Sequence, residues 1–241
     1  MSLKLQKISV PSDINFFIAF VILLFLLMQM HQLLHHVAGG ILCGKVGYLT
    51  FDRHHFSADL SESGNKIATI VGPLFSHYSA MWIGLFLLAN KRFNLLGFSL
   101  IFASLPLGRL AAVNGGDERF YGSWICQSSG IGESFASIIS LVIILLIIFP
   151  PLIIAFKSIA NKHRLIIFLS FLILPLVFYF ILIWFPDHKF IVPQIVESYE
   201  TGKSSNLLLR LFWGLPLIYI LITVVLSGLF LGKYYRYILK A

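Results

Sequence analysis

The chain has 241 residues, of which 58% are apolar and 12% charged, and its mean hydropathy is +0.89. Soluble domains carry about a quarter charged residues, so this much Leu, Ile and Phe excludes a water-soluble globular fold and has to face lipid. The net charge of +8 comes from Lys and Arg scattered at the ends of apolar stretches, with no basic run; that is the pattern of membrane orientation signals, not of a nucleic-acid surface.

Lys4 and Lys7 ahead of an apolar run imitate a signal peptide, but residues 14–30 outrun a signal core and lack a small-residue cleavage pattern, so they read as a retained helix. A spanning helix needs about 20 mostly apolar residues. Segments 14–42, 67–89, 93–113, 135–156, 165–185 and 207–232 qualify. The expected fold is an all-α polytopic membrane protein of about six transmembrane helices, forming a single membrane domain over 1–241. No internal repeat is visible.

Six spans put both termini on one side. Lys4, Lys7, Lys91, Arg92, Lys157, Lys162, Arg164, Lys233, Arg236 and Lys240 gather there against a single acid, Asp13. Their placement in short loops points to cytoplasmic termini in a bacterial inner membrane. Between the first two spans, Gly47, Tyr48, Leu49, Thr50 and Phe51 lie in a partly alternating stretch, which predicts a short strand or β-hairpin-like loop at the membrane edge. The loop 187–206 carries no usable motif.

The chemistry concentrates in His31-Gln32-Leu33-Leu34-His35. Two histidines four apart on a helix share a face and can hold one tetrahedral metal ion. Zinc peptidases place glutamate after the first histidine, where it takes a proton from the metal-bound water. Here that position is Gln32, whose amide hydrogen-bonds but does not accept a proton at neutral pH. On spacing alone, His31, His35 and His36 equally describe an interfacial cluster where the helix leaves the bilayer. Gly72-Pro73-Leu74-Phe75-Ser76 opens the second span, followed by His77 and Tyr78, and Val113-Asn114-Gly115-Gly116-Asp117-Glu118 closes the third. A carboxylate there joins the two histidines on one side of the membrane and leaves a fourth position for water.

This order of parts resembles the site-2 protease family of intramembrane zinc metalloproteases over residues 28–120. The resemblance implies a zinc-protease core within 14–120 and three further transmembrane helices in 133–232. It assigns His31 and His35 as zinc ligands, Gln32 to the catalytic glutamate position, and Ser76 to the asparagine of the G-P-x-x-N stretch. Asp117 best fits the third ligand; its glycines precede it where the family has them after, which leaves Glu118 and Asn114 as alternatives. The resemblance also implies that a peptide or membrane-protein substrate unwinds and pairs with the Gly47–Phe51 stretch as an added strand.

Glutamine at position 32 has three explanations, in this order: an engineered knockout, a natural pseudoprotease that still binds helices or zinc, or a mistaken family. The competing function is a haem- or quinone-binding membrane protein using His31, His35, His36 or His77. A transporter with a polar path fits less well, because the fourth and fifth spans are nearly free of polar residues. Cys43 and Cys126 fall on the same side, either as two thiols, the favoured reading, or as a disulfide. Substrate identity and oligomeric state are not encoded in any motif.

Overall fold

The computed structural model describes residues 6–45, 47–56, 59–191 and 217–239. The protein is an all-α polytopic membrane protein, with one small two-stranded sheet among the described residues. Five helical segments there are long and apolar enough to cross a bilayer: Ile14–Cys43, Glu62–Leu88, Asn94–Asn114, Glu133–Ser158 and Arg164–Lys189. They match the first five expected spans to within a few residues. The sixth is described from Leu217 onward, as α9 (Leu217–Leu229), a π-helical turn and α10 (Tyr235–Leu239). Residues 207–216, and the loop 187–206 beyond Ile191, lie outside the described residues.

Helix α1 (Ile14–Cys43) is the axis of the fold. Asp13 caps its start by accepting from the Asn15 amide, and Gly44, at φ 70°, ends it with its N–H on the Gly40 carbonyl. Thirty residues span about 45 Å. His31 therefore sits roughly 25 Å along the axis from the N-terminal end. The second span contains α2 (Glu62–Pro73), a π-helical turn over Leu74–Tyr78, and α3 (Ser79–Leu88). Pro73 has no N–H and its ring displaces the preceding turn, so the wider turn follows directly behind it.

The third span is broken. Helix α4 (Asn94–Ala103) ends at Ser104, Leu105 adopts φ 53°, and Pro106 restarts the chain as α5 (Pro106–Ala111). A left-handed leucine is costly; burial of its side chain among the core residues holds it there. The polar stretch behind the third span, expected as a loop, is helical: α6 (Asp117–Ser129) packs against α7 (Ala136–Ser158). Gly122 makes that approach possible, since a Cβ there would lie 2.0 Å from the Ala136 carbonyl oxygen. Helix α8 (Arg164–Phe178) continues through a π-helical stretch to Trp184.

One end of the bundle joins the N-terminal segment to the α7–α8 turn. Ile8 bridges Ile159, and the Lys7 ammonium donates to the Lys157 carbonyl. Lys162 and Arg164 line a cavity at this same end. Toward the other end, β1 (Tyr48–Leu49) and β2 (His54–His55) form the expected hairpin, pairing Tyr48 with His55 and Leu49 with His54.

Candidate metal centre

Three side chains from two distant parts of the chain meet beside α1. Asp117 Oδ2 lies 3.2 Å from His31 Nε2 and 3.1 Å from His35 Nε2, and the two Nε2 atoms are 3.3 Å apart. Both imidazoles are buried, at 2% and 0% exposure. Asp117 is the first residue of α6, where the exposed amides of the helix start favour a negative charge.

The outer partners fix which nitrogen carries the proton. His35 Nδ1 is 2.8 Å from the Ala68 carbonyl, which can only accept, so Nδ1 donates and Nε2 keeps its lone pair. Ser76 Oγ gives its proton to the Gly72 carbonyl at 2.6 Å, and it accepts from His31 Nδ1 at 3.4 Å. His31 Nε2 is then a lone pair as well. Two lone pairs and a carboxylate oxygen facing one another repel unless a cation or a shared proton lies between them. The three residues could hold a metal ion, each offering one atom within 4.8 Å of the others.

Gly72 is the residue that lets α2 approach. A Cβ there would fall 2.1 Å from His35 Nε2, so the Gly-Pro pair reads physically as a slot for the imidazole followed by a widened turn. Ser76 stands behind His31, is 1% exposed and lines no part of the adjoining cavity.

That cavity, of about 750 Å³, has His31, Gln32, Asp117, Glu118, Arg109, Asp52, His54 and Tyr179 among its walls. Gln32 is held by the hairpin: its Nε2 donates to the Asp52 carbonyl at 2.9 Å, and its Oε1 accepts from His54 Nδ1 at 3.0 Å. The His54 ring stacks on His35, centroids 4.0 Å apart. Burial, and then the neighbouring His35, lower the His54 pKa well below that of a free histidine.

Of the predicted strand residues, Tyr48 lines the cavity and Gly47 packs against the His55 carbonyl. Leu49, Thr50 and Phe51 face inward and are buried. The Phe51 and Asp52 amides and the Thr50 hydroxyl all donate to the carboxylate of Asp187, at 2.9, 3.3 and 2.6 Å. Part of the backbone expected to pair with a substrate is thus already engaged.

Sequence reasoning missed His54, Asp187 and Arg109. Arg109 and Tyr78 both donate to Glu118 Oε1 at 3.0 Å, next to Asp117. Glu118, weighed as an alternative ligand, is committed to this pair; burial raises its carboxyl pKa, with Arg109 opposing. Asn114 ends the third span and is exposed. The signal for Arg109 was its charge inside an apolar span. Cys43 and Cys126 are free thiols.

Fold and site together define a class: a polytopic helical membrane protein with a buried centre of two histidines and an aspartate able to hold a metal. No family model, curated protein or solved structure matches the chain.

Proposed function

We propose that the protein is an intramembrane zinc metallopeptidase of the site-2 type in architecture, held in a non-hydrolytic form by glutamine at position 32. The observation that carries this reading is the convergence of His31, His35 and Asp117, with both Nε2 lone pairs oriented by outer hydrogen bonds, on the wall of a cavity large enough for a peptide segment. Two nitrogens and one oxygen are the ligand set of a catalytic zinc. Zinc, when bound, would polarise a water and a peptide carbonyl. The remaining work belongs to the chain: the hairpin and the cavity wall bind and orient an unwound segment, and the surrounding helices exclude bulk water. Gln32 orients but does not carry a proton.

The amide of Gln32 matches both a donor and an acceptor on the hairpin. In this reading the end that carries Lys7, Lys157, Lys162 and Arg164 faces the cytoplasm of a bacterial inner membrane. The test is metal analysis of the purified chain together with binding of a membrane-segment peptide. About one zinc per chain, lost with His35→Ala, and binding without cleavage are expected. Metal-free protein from zinc-replete cells, with no uptake on titration, would end the proposal.

A further inference from the structure

His77 has no place in the centre as described so far. It sits in the π-helical turn Leu74–Tyr78, is 0% exposed, and its ring centroid lies 4.8 Å from that of His31. Neither ring nitrogen has a hydrogen-bond partner among the described residues. A neutral imidazole presents one N–H and one lone pair. Burying both without partners loses their hydration and returns nothing, and leucine or phenylalanine would fill the space at no such cost. The nearby Arg109 and Glu118 each also leave an atom unmatched, but they are paired with each other. Only the imidazole of His77 is left with both polar atoms bare beside the ligand set.

We propose that His77 is the fourth ligand of the metal centre in its resting state, beside His31, His35 and Asp117. The inference rests on the reading of those three as a zinc site. The three atoms already lie within 4.8 Å of one another, and His77 stands just outside the set. Its ring lies against that of His31, and ligation requires the side chain to turn so that a ring nitrogen meets the ion. Three histidines and a carboxylate close a tetrahedral site, and a closed site holds metal without a bound water. Gln32 then fits its surroundings: with no water to deprotonate at rest, the position needs no base. A substrate carbonyl or a water has to displace His77 before the site can react.

The test uses the full-length chain in detergent, loaded with cobalt(II) in place of zinc. The visible ligand-field bands of the unaltered protein are expected to be intense and four-coordinate, and to stay unchanged when azide or acetohydroxamate is added. His77→Ala keeps one metal but becomes responsive, with a new spectrum on azide addition. His77→Cys is expected to add a sulfur-to-cobalt charge-transfer band in the near ultraviolet. An azide response of the unaltered protein equal to that of His77→Ala overturns the inference, and so does a missing charge-transfer band in folded, cobalt-loaded His77→Cys. If His77 only donates a hydrogen bond to a bound carbonyl, both of those results appear while metal binding survives. Failure of every form to take up metal instead removes the zinc reading itself. The azide titration of the unaltered chain needs no variant, so a poorly folding substitution leaves the inference exposed to refutation.

Discussion

Replacing Gln32 with glutamate exchanges one NH2 for an oxygen and rewrites two hydrogen bonds. The amide now donates to the Asp52 carbonyl at 2.9 Å and accepts from His54 Nδ1 at 3.0 Å. Glutamate keeps the second bond, and its charge strengthens that bond by about 1 kcal/mol. It loses the first and sets an anionic oxygen against a carbonyl in a part-buried position, at a cost of roughly 2–3 kcal/mol. The net loss is about 1–2 kcal/mol, a lowering of Tm of about 2–4 °C for each kcal/mol in a chain of this size. The variant folds. One oxygen stays on His54 while the other is pushed from the Asp52 carbonyl toward the cavity, where a general base is worth about 10²–10⁴ in rate. Because His77 occupies the fourth position at rest, the gain falls near the lower end, about 10². The assay is cleavage of quenched-fluorescent membrane-segment peptides by zinc-loaded protein in proteoliposomes, with the rate followed against pH. Activity is expected to fall in acid as the new carboxylate takes a proton. Folded, zinc-loaded Gln32→Glu with no cleavage across a panel of such peptides would refute the assignment of position 32.

Three further outcomes follow from the same geometry. Asp117→Asn removes the anion shared by both imidazoles and weakens zinc binding by well over 10-fold, measured by competition with a chromophoric chelator. Gly72→Ala drives a Cβ to 2.1 Å from His35 Nε2, so it costs about 1–3 kcal/mol of overpacking and lowers zinc affinity about 10- to 100-fold; unchanged affinity would place the α1–α2 contact elsewhere. Asp187→Ala strands the Thr50 hydroxyl and the Phe51 and Asp52 amides, costing about 2–4 kcal/mol, and amide exchange at Phe51 and Asp52 is expected to accelerate while α4 stays protected.

The spans were legible because run length and hydropathy are local properties. The zinc-type spacing was legible for the same reason: His31 and His35 share a helix face whatever the rest of the chain does. Helix α6 was not, because charge, glycine and serine make Asp117–Ser129 too polar to read as a span, although Phe120, Tyr121, Trp124 and Ile125 fall at helical spacing. Pro73, near the start of the expected second span, lies inside a continuous one with a π turn directly behind it. The placement of Ser76 behind His31 depends on how α2 crosses α1, which no local pattern encodes. Asp187 reaches the hairpin across more than a hundred residues of sequence, so neither partner announces the other. His54 is in the same position: its site role depends on hairpin register and on Gln32, which are properties of the folded state.

The hairpin ties these pieces together and, in the proposed reading, would link substrate binding to the metal. Gln32 reaches it from α1, Asp187 and Tyr179 hold it from the fifth span, and His54 stacks from it onto His35. A peptide strand entering beside Tyr48 would meet an edge already anchored at Phe51, so pairing is limited to the Gly47–Leu49 portion unless Asp187 lets go. Any shift of β2 to admit the strand pulls on Gln32 and on the ring stacked over a metal ligand. In that reading substrate engagement and ligand geometry would be mechanically coupled through His54. That coupling offers a route by which a resting fourth ligand is released only when the cavity is filled, and it makes the spectrum of the cobalt-loaded protein a direct report on occupancy of the hairpin edge.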